Sequence, residues 1–417
     1  MHIIYYKTII STLFFYFNVR LDAVLALAVV LCSVVLVAND DSGPRLKSDL
    51  ERFPIERSSP FFVPVTVFNK QEIFCIDTGA TATILDKVRF SQLLGKVQKE
   101  EIASGAVNMQ RISLFRSPAM IVGQKAPIET GGGKGLIGGA DLSAIRKSVD
   151  VDISGILGMD FLRTKVLRID PDAGYIEFPN CPTNTSVQSQ RLVLLENGLP
   201  SIRMQVADAG FRSFIIDTGF NGSLTLETEL FSKLLKAKKI ALRSRGTMDE
   251  IGGEAKFRRG IISQVTLGPY VLSNLNVDET SHNSIGLLFL ERFVTEIDFS
   301  NRKLFLTASQ FMNLPELRTL CGFSVTRVNR TAVINDAEDS ARDAGIQNED
   351  VIITINKTPA HKLSLSKIRI LCTVPDSQLN LTLERDGKRF DVTLDLRRIP
   401  DPFPSVVSEE NAIPSGK

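Results

Sequence analysis

Histidine is scarce in this 417-residue chain, and the positive and negative charges of the chain almost cancel. The only histidines are His2, His282 and His361, and 49 lysine and arginine residues face 47 aspartate and glutamate residues, giving a net charge of +2. Serine and cysteine hydrolases and histidine-based zinc sites need a suitably placed histidine, so these classes are poorly supported. The balanced charge gives no reason to expect a nucleic-acid partner. If the protein is an enzyme, its catalytic groups are therefore expected to be carboxylates.

Cysteine is also scarce, and its spacing matches no metal-binding motif. The five residues are Cys32, Cys75, Cys181, Cys321 and Cys372. We expect no metal and no cofactor. If Cys32 is removed with a signal peptide, the other four allow three pairings for a disulfide, or they remain free thiols.

The N-terminal 38 residues are strongly apolar, and residues 23–38 carry no charge. This run is short for a membrane span and is typical of a signal peptide that ends at a small residue, Ala38. An uncleaved anchor is one alternative, because residues 9–17 are also apolar, and a buried helix is another. The signal-peptide and anchor interpretations predict a secreted or periplasmic protein, or a membrane-anchored one that faces the extracytoplasmic side. Residues 39–59 are predicted to be a polar linker.

Two stretches share the pattern of an apolar strand, Asp-Thr-Gly, and a second apolar strand. The tripeptides are Asp77-Thr78-Gly79 and Asp217-Thr218-Gly219. A carboxylate at the end of a buried strand is costly unless it is compensated. Glycine permits a tight turn whose amide groups face the carboxylate. If two such loops meet, two neighbouring carboxylates cannot both ionise easily, and they share one proton.

Further blocks repeat along the chain, which indicates an internal duplication. An apolar segment that includes Gly158 recurs around Gly286, 128 positions later. A strand–turn–strand block at residues 166–178 recurs at 294–306, again offset by 128, whereas Asp217 follows Asp77 by 140. The difference of 12 indicates a longer segment between the aspartate and the glycine block in the first half.

These motifs resemble the retropepsin-like (clan AA) aspartic proteases, here as a fused tandem of two lobes. The resemblance implies a mainly β, bilobal retropepsin- or pepsin-like fold. It implies two six-stranded, barrel-like lobes, at residues 60–180 and 181–310, and a flap over the cleft. The candidate flap tips are residues 103–106 and 251–257. The implied activity is that of an aspartic endopeptidase acting on a peptide or protein substrate as a monomer.

In this family, the implied mechanism uses a water held between Asp77 and Asp217. The adjacent threonines brace the two loops, and the adjacent glycines form the turns: Thr78, Gly79, Thr218 and Gly219. Ala80 fits the pattern, whereas Phe220 departs from it and either narrows the cleft or marks a degenerate lobe. The alternative function is therefore a catalytically inactive, peptide-binding adaptor on a protease fold. The sequon at Asn221 implies either that the protein is made where N-glycosylation is absent or that this site is buried.

The glycine-rich residues 131–139 do not form a phosphate-binding loop, because Lys134 is followed by glycine rather than serine or threonine. A flexible loop is the better interpretation.

Residues 320–397 resemble a PDZ domain, most specifically in the Ala-Gly-Ile, Asp-Val-Ile and Ile-Asn pattern between residues 344 and 356. The resemblance implies that Gly322, Phe323 and Val325 line a groove for a C-terminal or extended peptide, which binds as an added strand. A helix at residues 363–373 would flank that groove, and residues 379–395 would form the closing hairpin. Alternatively, the domain only packs against the two lobes. Residues 398–417 are predicted to be a disordered tail.

Overall fold

The computed structural model describes residues 6–7, 50–57, 59–104, 109–123, 126–127, 135–183, 189–250, 253–398 and 400–403. Most regular structure in this part is β-strand, which confirms the predicted mainly β class. The proposed signal or anchor segment lies outside the described residues, apart from Tyr6 and Lys7. In the part of the chain that is described, no helix is long and apolar enough to cross a bilayer.

The first half contains thirteen strands among its described residues. They are β1 (Tyr6–Lys7), β2 (Arg52–Pro54), β3 (Phe62–Val67), β4 (Lys70–Ile76), β5 (Ile84–Asp86), β6 (Lys99–Ser104), β7 (Met109–Arg116), β8 (Met120–Val122), β9 (Ala126–Pro127), β10 (Leu136–Ala140), β11 (Gly155–Leu157), β12 (Val166–Asp170) and β13 (Tyr175–Glu177). Helices α1 (Ser143–Ser148) and α2 (Met159–Leu162) flank β11. Ten of the strands form one sheet in the order β1-β6-β7-β10-β5-β11-β4-β3-β8-β9.

Eleven strands lie in the described part of the second half. They are β14 (Gln190–Arg191), β15 (Val193–Leu194), β16 (Pro200–Val206), β17 (Phe211–Ile216), β18 (Leu224–Glu227), β19 (Ile240–Glu250), β20 (Gly253–Leu267), β21 (Tyr270–Thr280), β22 (Ser284–Ile285), β23 (Phe293–Asp298) and β24 (Lys303–Ala308). A 3₁₀ turn (Ala207–Ala209) and helices α3 (Thr228–Lys236) and α4 (Leu287–Leu290) complete it. Eight strands form a sheet in the order β15-β16-β17-β22-β18-β21-β20-β19.

The two sheets have the same strand order, which confirms the internal repeat. The run β6-β7-β10-β5-β11-β4-β3 corresponds to β19-β20-β21-β18-β22-β17-β16. In each half, the strand that leads into an Asp-Thr-Gly loop pairs in parallel with an inserted strand, which pairs antiparallel with the strand that leaves the loop. The sheets hold more strands than the expected six per lobe, because short strands and long hairpin arms extend each sheet.

Each sheet also curls back on itself. In the second half, the single long strand β20 pairs with β19 along its first part and with β16 near its end. In the first half, β7 pairs with β6, and the separate strand β8 pairs with β3. Pro118 lies in the break between β7 and β8. Proline lacks the N–H that a continuous ladder needs, which accounts for the division.

A third sheet joins the halves, in the order β14-β24-β23-β12-β13-β2. The central pair is antiparallel, with Leu167 opposite Ile297. The strand–turn–strand blocks predicted from the repeat are therefore confirmed, and they pair with one another. Residues 52–54 of the expected linker form the edge strand β2, because Phe53 is buried and packs edge-to-face on Phe178.

Two further expectations differ from the structure. Residues 136–139 of the expected glycine-rich loop belong to the strand β10, in which Gly139 gives room for the ring of Phe115. Residues 131–134 lie outside the described part. At the start of the expected disordered tail, Asp401 pairs with Arg318, and the Phe403 backbone exchanges hydrogen bonds with Asn274. Residues 404–417 lie outside the described part.

The C-terminal domain has its own apolar core, centred on residues such as Ile334, Ile368 and Leu383. Its strands and helices are β25 (Ser324–Val328), β26 (Thr331–Asn335), α5 (Asp339–Asp343), β27 (Val351–Ile355), β28 (Thr358–Pro359), a 3₁₀ turn (Ala360–Lys362), α6 (Leu365–Leu371), β29 (Ser377–Arg385) and β30 (Lys388–Leu396). The sheet order is β25-β26-β27-β29-β30, with β28 paired to β27. The predicted helix and closing hairpin are both present, and Asp386 and Gly387 form the turn with positive φ.

The four described cysteines, Cys75, Cys181, Cys321 and Cys372, are free thiols. Cys321 and Cys372 are buried in the C-terminal core, and the Cys321 thiol donates to Phe323 O across 3.4 Å.

We predict that Arg168→Met destabilises the sheet between the halves. Arg168 Nη1 donates to Glu296 Oε1 across 2.6 Å, and Nη2 donates to Asp170 Oδ2 across 2.7 Å. Losing the guanidinium deprives the buried Glu296 of its cation, which typically costs about 3–5 kcal/mol. Urea unfolding checks this. The solvent-exposed Arg163→Met is the control, and equal unfolding midpoints for both variants would contradict the prediction.

Candidate active site

The two predicted aspartates occupy equivalent loops at the ends of β4 and β17. Asp77 N–H donates to Leu157 O, and Asp217 N–H donates to Ile285 O, each across 3.0 Å. The inserted strands β11 and β22 thus fix where each loop begins. Asp77 is 2% exposed and Asp217 is fully buried. Two carboxyl groups are therefore held away from bulk water, where ionisation is costly.

The threonines of the two tripeptides lock the loops together. Thr78 Oγ1 donates to Ile216 O across 2.7 Å and accepts a 3.0 Å hydrogen bond from Thr218 N–H. In the reciprocal direction, Thr218 Oγ1 donates to Ile76 O and accepts from Thr78 N–H, each across 3.0 Å. Each half thus satisfies buried polar groups of the other. Neither loop can take this form alone.

The lock brings the two carboxyl groups together. The carboxyl groups of Asp77 and Asp217 lie close enough to influence each other's ionisation, since Asp217 contributes to the pKa of Asp77. Within each loop, the glycine N–H donates to its own aspartate, from Gly79 to Asp77 Oδ1 across 2.7 Å and from Gly219 to Asp217 Oδ1 across 3.0 Å. A Cβ atom on Gly219 would lie 2.6 Å from Asp77 Cγ. Only glycine allows the second loop to approach the first aspartate this closely.

Burial raises the pKa of Asp77 from 3.8 to about 6, against the lowering effect of hydrogen bonds from the Gly79 N–H, the Asp217 side chain and further backbone amides. The pair therefore holds a proton into the mildly acidic range. Burial also raises the pKa of the neighbouring Cys75 thiol well above its usual value. Cys75 consequently stays neutral, as an apolar neighbour of the pair.

The departure at Phe220 is accommodated inside its own loop. The Phe220 ring is buried and lies over two glycines, since Cβ atoms on Gly222 and Gly286 would come within 2.2 Å and 2.5 Å of it. Phe220 and Gly222 correspond to Ala80 and Ala82 in the first half. The second loop thus combines one large residue with a glycine where the first loop has two alanines. The reciprocal hydrogen bonds of the threonines are retained.

The loops also contain buried polar atoms that sequence reasoning did not single out as part of the site. Thr81 and Asn221 occupy equivalent positions, four residues after each aspartate. Within the described residues, Thr81 Oγ1 and both side-chain polar atoms of Asn221 have no hydrogen-bond partner. Asn221 is only 4% exposed, so its sequon is buried, as one of the two alternatives held.

A second missed feature is an asymmetry behind the loops. In the first half, Thr83 N–H and Oγ1 donate to Asp160 Oδ1, across 2.9 and 2.6 Å. The equivalent of Thr83 is Ser223, which donates instead to Glu316 Oε1 across 3.2 Å. The repeat could have revealed Asp160, the one charge in an apolar block. Glu316 lies beyond the repeat, so no sequence pattern points to it.

Glu316 belongs to the connection between the second half and the C-terminal domain. It also accepts hydrogen bonds from Arg292 Nη2 across 2.9 Å and from Asn276 Nδ2 across 3.0 Å. At the position of Asp160, the second half has Leu288, which forms a small apolar cluster with Leu317 and with Ile370 on α6. The connection and the C-terminal domain therefore complete the packing behind the Asp217 loop.

The predicted groove residues Gly322, Phe323 and Val325 lie together, just before and within the edge strand β25. Gly322 has a φ of +72°, and its carbonyl accepts a 2.7 Å hydrogen bond from Glu338 N–H. The other two side chains are buried. For the flaps, the arms β6–β7 and β19–β20 form antiparallel hairpins. Residues 105–106 and 251–252 of the predicted tips lie outside the described part.

We predict that stability falls as the pH rises from about 4 to about 6. The folded state binds the Asp77 proton more tightly than the unfolded state, because the folded pKa is raised to about 6. Ionisation above this range therefore costs folding free energy, about 3 kcal/mol for a shift of this size. Asp77→Asn removes the penalty.

The measurement is urea unfolding at pH 4 and at pH 7. The change in unfolding free energy between the two pH values should be more favourable in Asp77→Asn than in the wild type. The solvent-exposed Asp339→Asn should follow the wild type. Parallel pH curves for all three proteins would contradict the assigned pKa.

We predict that Glu316→Gln loosens the Asp217 loop. The substitution keeps the size of the side chain but leaves the buried Arg292 without its carboxylate, at a typical cost of about 3–5 kcal/mol. Thermal and urea unfolding measure the loss, and Glu229→Gln on the exposed face of α3 is the control. A Glu316→Gln variant as stable as this control would show that the connection contributes little to the loop.

Comparison with known proteins identifies one part of the chain. No curated protein matches the sequence. Among solved structures, basic 7S globulin from soybean is similar over 62% of this chain and 95% of its own, with 9% identity and a TM-score of 0.40. The PDZ-domain family model matches residues 320–396, one residue short of the predicted boundary. The C-terminal domain is therefore a PDZ domain, a class that binds peptides or protein partners.

Proposed function

We propose that this protein is an aspartic endopeptidase of the retropepsin type, in which two fused lobes each supply one catalytic aspartate. The observation that carries the proposal is that two buried aspartates, Asp77 and Asp217, lie in loops that the reciprocal threonine hydrogen bonds hold face to face. Structural proteins do not need two buried acids side by side, since each carries a desolvation penalty. Enzymes arrange such pairs so that one group is protonated while the other is ionised.

The proposed reaction uses a water molecule between the two carboxyl groups. The ionised aspartate takes a proton from the water as the oxygen attacks the scissile carbonyl. The protonated aspartate donates its proton to the carbonyl oxygen, giving a tetrahedral diol. Return of a proton to the amide nitrogen then lets the carbon–nitrogen bond break, and no covalent enzyme intermediate forms. The two protons titrate as a pair, so neither role is assigned to one residue.

The surrounding residues support this chemistry by fixing geometry. The threonine lock holds the loops in register, and the Gly79 and Gly219 amides stabilise an ionised carboxylate. We propose that the hairpins β6–β7 and β19–β20 act as flap arms over an extended peptide. The apolar residues 23–38 favour an extracytoplasmic location, either secreted or membrane-anchored. We propose that the protein acts as a monomer.

The test is turnover of a mixed peptide library by the full chain, followed by mass spectrometry, with and without pepstatin. We expect Asp77→Asn and Asp217→Asn each to lower cleavage by roughly 10²-fold or more. The exposed Asp208→Asn should cleave like the wild type. Cleavage should also fall as the pH rises above about 6, where the pair loses its shared proton.

The peptidase proposal would be wrong if the wild type cleaved no peptide that the two variants leave intact. The protein would then be an inactive, peptide-binding module. Cleavage that survives both substitutions would point to a contaminating activity rather than to this site.

A further inference from the structure

The peptide groove of the PDZ domain is covered by the first half of the same chain. PDZ domains bind an extended peptide by adding it to an exposed sheet edge. Here that edge is β25, which lies at the end of the sheet and next to helix α6. Helix α1 of the first half packs directly against β25. The residues after α1 then reach the start of α6.

Polar contacts fix this arrangement at both sides of the groove. Asp150 accepts from Arg327 Nε on β25 across 2.8 Å, and from the Leu365 N–H at the start of α6, also across 2.8 Å. Arg369 Nη2 on α6 donates to Ser148 O across 2.9 Å. One short segment, helical over Ser143–Ser148, thus contacts the edge strand and the flanking helix together without adding a strand to the sheet.

The charges in the groove match this occupant. Arg327 and Arg369 are only 8% and 7% exposed. Burial lowers the pKa of Arg369 well below its usual value, and the Asp150 carboxylate acts in the opposite direction. Buried guanidinium groups are costly without a nearby carboxylate. The groove therefore favours a ligand that brings its own internal acid.

Further contacts hold α6 against the rest of the molecule. Ser364 Oγ donates to Glu56 Oε2 across 3.1 Å, and Ser366 Oγ donates to Arg57 O across 2.7 Å. On the same helix, Ile370 packs on Leu288, whose N–H donates to Gly222 O in the Asp217 loop. Displacing α6 would disturb contacts that reach the second aspartate loop.

We propose that the PDZ groove is a self-occupied peptide site. Its occupant is the chain's own segment at residues 143–150, and the external partner that fits is a peptide with an internal aspartate that replaces Asp150. The groove and the Asp217 loop are then thermodynamically linked, because a peptide that opens the groove also moves the helix that carries Ile370. This inference concerns binding and does not depend on the proposed peptidase activity.

The test uses the full chain and a fluorescein-labelled peptide of its own residues 142–152, with fluorescence anisotropy as the readout. A second probe carries alanine in place of Asp150. The chains compared are wild type, Asp150→Ala, Asp150→Asn and, as a matched control, Asp152→Ala. Asp152 lies two residues further on, is 69% exposed and pairs with Arg89 rather than with the PDZ domain. Mass spectrometry verifies that the probe remains intact.

Occupancy in cis lowers the apparent affinity by the fraction of molecules whose groove is open. We therefore expect the Asp150→Ala chain to bind the first probe about ten-fold or more tightly than wild type. The Asp152→Ala chain should match wild type, and the alanine probe should bind every chain weakly. If Asp150→Ala does not fold, Asp150→Asn replaces it, since asparagine can still accept from the Leu365 N–H.

Three results would overturn the proposal. The wild-type and Asp150-substituted chains would bind the first probe equally well, or none would bind it, or the alanine probe would bind as tightly as the first. Loss of peptide cleavage in the separate assay would not affect this outcome. A failure of the peptidase proposal and a failure of this one are therefore distinguishable.

Discussion

The reciprocal hydrogen bonding of Thr78 and Thr218 is the interaction on which the arrangement of the two halves depends. Each hydroxyl bonds to the backbone of the opposite loop, so the loops exist in this form only when the halves face each other. This contact places two buried carboxyl groups side by side, and burial then raises the pKa of Asp77. The antiparallel pairing of β12 with β23 reinforces the same geometry from a separate sheet.

The halves are similar in topology but unequal in their support. The first loop is completed from within its own half by Asp160. The second loop carries Leu288 at that position and relies on Glu316 and on Ile370, which lie outside the repeat. A duplicated unit can lose an internal contact when a neighbouring segment supplies a substitute. In this chain, the segment leading to the PDZ domain and the PDZ helix provide that substitute.

The PDZ domain likewise takes contacts that it lacks internally from another part of the chain, the first half. Arg327 and Arg369 are buried in its groove, and the Ser148 carbonyl and the Asp150 carboxylate meet them. The domain thus contacts both halves, through its groove on one side and through Ile370 on the other. A domain that packs in this way contributes to the stability of the lobes as well as to any recognition of a peptide. The packing against the two lobes, one of the interpretations left open by the sequence, is therefore observed, whereas peptide binding stays a prediction.

The sequence by itself determined the features that are encoded locally and repeated. The apolar strands before Asp77 and Asp217 and the glycine turns follow from nearest-neighbour chemistry, and two copies of one pattern exclude coincidence. The PDZ domain was predicted from its resemblance to a known family. Only the tertiary structure decided which groups meet across long separations. Asp150 in the PDZ groove, Glu316 behind the Asp217 loop and β2 in the central sheet have no local pattern. Their positions depend on how separately formed sheets pack, because a buried charge takes its partner from whichever segment the fold brings beside it.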